Sequence, residues 1–96
     1  MSETQVDVTT NLKMPSMWKV VIHNDDYTPV DFVIALIHKL FDKSIEEATR
    51  LTATIHNNGK AIIGLYTKEV ATTKVLLVRE NADVFGHPLL ATAEEA

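Results

Sequence analysis

The segment His23-Asn24-Asp25-Asp26-Tyr27-Thr28-Pro29 gathers an imidazole, an amide and two carboxylates where a β-branched run meets a helix-starting pattern. The second anchor is His56, which follows the apolar Ile55 at the end of another helical pattern and can face that segment in a small domain. Three chemistries suit this set. Asn and Asp side chains bond their own backbone in turns, and a histidine at a helix C-terminus complements the macrodipole, so every member has a structural reading. Carboxylate and imidazole together suit a hydrolytic site or a hard or borderline cation, held by His23, Asp25, Asp26 and His56. Against that, the chain has no His-x-x-x-His spacing, nucleophile elbow, phosphate loop or G-x-G-x-x-G. The third chemistry is capture of a cationic amine. An ammonium has three donors and no acceptor, so its site needs converging acceptors such as an Asn carbonyl, a carboxylate and a neutral imidazole nitrogen. If the ammonium is a peptide N-terminus, Val30, Val33, Ile55 and Leu89 can enclose its first side chain.

The elements that must position these residues are legible in the patterning. Residues 17–23 (MWKVVIH) read as a short, mostly buried strand that ends at Asn24-Asp25-Asp26. Thr28-Pro29-Val30-Asp31 supplies an N-cap, a proline at the first helical position and an acid, ahead of the apolar series Phe32, Val33, Leu36, Ile37, Leu40 and Phe41. Ser44-Ile45-Glu46-Glu47 is an S-x-x-E capping box opening a second helix, which stops at Asn57-Asn58-Gly59. Residues 60–66 (KAIIGLY) read as a strand in which Gly64 marks a bulge or a close backbone approach, and Thr67 caps a third helix reaching about Phe85. Leu89–Ala93 is a last strand before a frayed acidic end. The order βααβαβ predicts an α+β sandwich, a three-stranded antiparallel sheet packed against three helices over residues 17–96. Residues 1–16, polar and Thr-rich, read as a flexible N-terminal extension.

Composition narrows the function classes. Ninety-six residues make one domain, and nine Lys plus Arg against thirteen Asp plus Glu leave a net charge of −4, which disfavours nucleic acid as partner. The absence of cysteine removes disulfides, thiolate metal sites and cysteine nucleophiles and fits a reducing compartment. No apolar run is long enough to span a bilayer and no basic-then-apolar leader opens the chain, so a small, soluble cytoplasmic domain with no membrane contact is expected.

Five strings, LKMPSMWKV (12–20), NDDYTPVDFVI (24–34), ATRLTATIHNNGKAIIG (48–64), TKEVATTKV (67–75) and HPLL (87–90), stand in one uninterrupted register. With them the chain resembles the ClpS family of adaptors for bacterial AAA+ proteases. The resemblance implies a non-enzymatic adaptor without metal or cofactor. It binds proteins beginning with Leu, Phe, Tyr or Trp and passes them to the N-terminal domain of a ClpA-type unfoldase for degradation by ClpP. It places Asn24, Asp25 and His56 around the α-amino group, and Asp26 and Thr28 at the pocket mouth, orienting the peptide. It puts Val30, Val33, Thr52, Ile55 and Leu89 around the first side chain, and Glu69 and Lys74 against the unfoldase. The residues before Lys13 match an extension used in substrate hand-over, and a monomer is expected. His23, His38 and His87 receive no role, and Trp18 reads as an edge-of-core aromatic. Val30 and Thr52 stand where familiar members often carry Met, which implies a roomier or more polar pocket wall. An imidazole must be neutral to accept from an ammonium that stays protonated. Affinity is therefore expected to peak between their reference pKa values, about 6.5 and 7.7 to 8.0.

Overall fold

The computed structural model describes residues 16–96, so all but the last residue of the extension read over 1–16 lies outside it. Strand β1 (Trp18–His23) is central in a three-stranded antiparallel sheet of order β2-β1-β3, flanked by β2 (Lys60–Tyr66) and β3 (Leu90–Glu95). Three helices, α1 (Val30–Leu40), α2 (Ile45–Asn58) and α3 (Lys68–Val84), complete the βααβαβ order. Alternation along β1 sends Val20 and Ile22, both with no exposed surface, into the core beneath the helices. Lys19, Val21 and His23 take the opposite face, beside Leu65, Ile62 and Lys60 of β2.

A bulge in β2 changes which residues that strand buries. Val20 pairs with Gly64 and Val21 with Ile62, so Ile63 is the extra residue and the two-residue period shifts by one. Ala61 and Ile63 therefore reach the core, Leu65 is turned out, and Tyr66 is turned in to pack against it. Gly64 leaves room there for the Tyr66 ring, since a Cβ would stand 2.5 Å from the Tyr66 hydroxyl oxygen and would displace that ring.

The helix ends follow local chemistry with one exception. Ser44 Oγ accepts from the Glu47 N–H at 3.0 Å, and Thr67 Oγ1 accepts from the Val70 N–H at 3.3 Å, as the capping patterns predict. Gly59 ends α2 in the left-handed region at φ 90°, its N–H donating to the Ile55 carbonyl. The exception is α1, where Pro29 rather than Thr28 is the N-cap, with no side-chain bond to the first turn. Thr28 instead donates its hydroxyl to Asp25 at 2.7 Å, a charge-assisted bond stronger than a neutral cap. The acidic end is not frayed either. β3 extends through Glu95, with Glu94 opposite Lys19 and Glu95 opposite Trp18, because ladder pairing uses the backbone whatever the side chains are.

Candidate functional site

β1 delivers its last residue to the turn that precedes α1, and this turn is organised by one carboxylate. Asp25 Oδ1 accepts from the backbone N–H of Tyr27 and of Thr28, each at 2.8 Å, while Oδ2 accepts the Thr28 hydroxyl. Burial alone raises the Asp25 carboxyl. The Thr28 hydroxyl, the two backbone donors and the nearby His87 outweigh it, and the group sits below the ordinary aspartate value. The turn reading and the ligand reading of Asp25 are thus compatible, since a carboxylate accepts about four bonds and three are used internally.

The second half of the site comes from the C-terminal end of α2. The Asn24 N–H donates to the Gly59 carbonyl at 2.8 Å, which ties the turn after β1 to the cap of α2 and holds His56, on the last helical turn, beside Asn24 and Asp25. Between them lies a cavity of about 240 Å³. Asn24, Asp25, Asp26, Thr28 and His56 supply its polar lining. Val33, Ile55 and Leu89, exposed by 6%, 3% and 8%, are its apolar interior, and Val30, 56% exposed, stands at the open side. Thr52 completes the wall with its hydroxyl donated to the Ala48 carbonyl at 2.8 Å. That internal bond leaves the methyl as the group free to meet a ligand, so Thr52 makes the wall short and apolar rather than more polar.

The structure separates the remaining candidates from this cavity. His23 lies on the far face of the sheet with Nε2 2.9 Å from Thr92 Oγ1, so the set His23, Asp25, Asp26 and His56 needed for hydrolysis or metal binding is not assembled. Among the described residues no cluster of three or more His, Cys, Asp or Glu is close enough to hold a metal ion. No helix described is long and apolar enough to cross a membrane. Glu69 and Lys74 line a separate depression on α3 with Val70, Thr73 and Leu77. Lys74 is half-buried rather than freely solvated. Its Nζ donates to the Leu40 carbonyl and lies 5.6 Å from the Phe41 ring centre and 6.0 Å from that of Tyr66. Two contributions escaped the residue reading. His87 packs edge-on against Phe32, ring centres 4.6 Å apart, and helps hold Asp25 ionised. Gly59 acts through its carbonyl as well as through its φ. For both, the only sequence signal was proximity to a site residue.

The fold is a small α+β domain with a cavity that combines an apolar interior and a polar lining of Asn24, Asp25, Asp26, Thr28 and His56. Comparison with known proteins gives it a family. Residues 13–92 match the profile described as ATP-dependent Clp protease adaptor protein ClpS. The chain is 52% identical over 90 residues to the ATP-dependent Clp protease adapter protein ClpS of Cronobacter sakazakii, covering 94% of this chain and 85% of that one. It is 51% identical over 94 residues to its counterpart in Serratia proteamaculans, covering 98% and 86%. Among solved structures, Agrobacterium tumefaciens ClpS2 bound to L-phenylalaninamide superposes with a TM-score of 0.84 at 31% identity, over 86% of this chain and all of that one. The chain belongs to the ClpS family of adaptors of the ATP-dependent Clp protease, and it is an adaptor, not an enzyme.

Proposed function

We propose that this adaptor holds proteins by a free N-terminal Leu, Phe, Tyr or Trp and delivers them to a ClpA-type AAA+ unfoldase for degradation by ClpP. The observation that carries this reading is the cavity itself, whose lining combines Asn24, Asp25 and His56, side chains able to accept from an ammonium, with the apolar Val33, Ile55 and Leu89. Asn24, Asp25 and His56 receive the α-amino group, Asp26 and Thr28 orient the chain at the mouth, and Val30, Val33, Thr52, Ile55 and Leu89 enclose the side chain. The ligand of the Agrobacterium relative, a phenylalanine with a free α-amine and an amide in place of its carboxylate, has the chemistry of a peptide's first residue. Glu69 and Lys74 serve the unfoldase contact, and the protein acts as a cytoplasmic monomer.

The test is fluorescence anisotropy with a pair of peptides that differ only by acetylation of an N-terminal Leu. Acetylation removes the charge and two donors and adds bulk at the polar end of the cavity, so binding of the free-amine peptide at micromolar concentration and its abolition by acetylation are expected. Equal binding of both peptides overturns the reading.

A further inference from the structure

The seam between α1 and α2 does not close below the first cavity. A second recess of about 210 Å³ continues along it, and Val30, Thr52 and His56 line both, so these three side chains are a common wall. Beyond the wall stand Ile34 of α1 and Thr49 and Ala53 of α2. Their spacing is that of one helix face on each side: Val30 and Ile34 are four apart, and Thr49, Thr52, Ala53 and His56 follow at three, one and three. The recess is apolar despite its two threonines, because Thr49 donates its hydroxyl to the Ile45 carbonyl at 2.7 Å and Thr52 donates to Ala48. What remains for contact is methyl and methylene surface, with His56 as the one ionisable neighbour.

An extended chain sends successive side chains to opposite sides, with their α-carbons about 3.8 Å apart. A backbone running along the shared wall of Val30, Thr52 and His56 would send one side chain to each side of it, the first into the cavity and the second into the recess. We propose that the second recess takes an apolar side chain at position two of the bound chain, which rests on the reading that a free N-terminal residue fills the first cavity. The backbone then runs along that wall past His56, and the adaptor reads two residues rather than one.

The experiment is anisotropy with free-amine peptides beginning Leu-Leu, Leu-Val, Leu-Ala and Leu-Ser, otherwise identical, each with an acetylated twin. Leu at position two is expected to bind about five- to tenfold tighter than Ser, less than full burial of a leucine would give because the recess is half open. Ala53 and Thr49 are exposed helix positions, so Ala53→Phe and Thr49→Lys each alter the recess without touching the core. In both variants the ratio of Leu-Ser to Leu-Leu dissociation constants is expected to fall towards one. Acetylation-sensitive binding with the same affinity for all four peptides overturns the second site and leaves the first intact. Binding that ignores acetylation overturns both. A ratio unchanged in both variants also refutes the assignment to this recess.

Discussion

At the scale of single residues, Asp25 does two jobs that substitution can separate. Asn keeps an acceptor for the Tyr27 and Thr28 N–H groups but removes the charge, whereas Ala removes both. Asp25→Ala is therefore expected to lose about 1 to 2 kcal/mol of stability in urea melts, and Asp25→Asn less than half of that, while both weaken binding of free-amine peptides. A carboxyl whose folded-state pKa lies below its unfolded value adds stability that is complete above the unfolded value, about 3.9, and is lost as pH falls through the folded one. Asp25 is such a group. The stability gap between the wild type and Asp25→Asn should accordingly be constant from pH 7 to 5 and shrink below pH 4, read from urea midpoints across that range. Thr52 belongs to this scale as well. Thr52→Met puts a long side chain into a wall that now shows one methyl, and it is expected to reorder affinities among Leu, Phe, Tyr, Trp and β-branched first residues. An unchanged order across that peptide panel refutes the role given to Thr52.

At the scale of elements, the site depends on how helix α2 ends. A Cβ at Gly59 would meet no atom within 4 Å, but the residue sits at φ 90°, so replacement by Ala costs backbone strain and not a clash. Gly59→Ala is expected to lower stability by about 1 to 2 kcal/mol. Because the Gly59 carbonyl also fixes Asn24, the same variant should weaken free-amine peptide binding although Gly59 does not line the cavity. Ser44→Ala at the other end of α2 is the matched control. It removes a cap worth about 1 kcal/mol while leaving the His56 end of the helix in place, so calorimetry should show a loss and anisotropy none. Equal effects of the two variants on binding would show that α2 transmits stability alone.

At the scale of the whole molecule, the helices meet the sheet through contacts that also touch the proposed partner face. Lys74 joins α3 to the end of α1 through the Leu40 carbonyl and covers two aromatic rings, so its loss should weaken the fold by about 1 to 2 kcal/mol. Glu69, exposed at the start of α3, has no comparable contact among the described residues. Lys74→Ala should therefore lower both the urea midpoint and binding to the unfoldase N-terminal domain, whereas Glu69→Ala should lower binding alone. Stability unchanged in Lys74→Ala would mean that its contacts are incidental.

The element order, the caps at Ser44 and Thr67 and the stop at Gly59 were all readable along the chain, because capping, turn chemistry and hydrophobic period act over three or four residues. The five motif strings added the family, and with it a set of residues far apart in sequence. What the chain alone left open was decided by tertiary contacts. Thr28 is the local exception: it is a cap by pattern, yet two local partners compete for its hydroxyl, and the carboxylate of Asp25, three residues earlier, takes it. The acidic tail reads as frayed, and only β1 makes it a strand. His23 and His56 are alike as residue types, but alternation along β1 sends one to the far face while the Asn24 to Gly59 bond brings the other to the cavity. Local rules settle which backbone conformation a segment adopts. Which side chains converge depends on sheet register and on hydrogen bonds between residues more than thirty apart, and those exist only once the chain has folded.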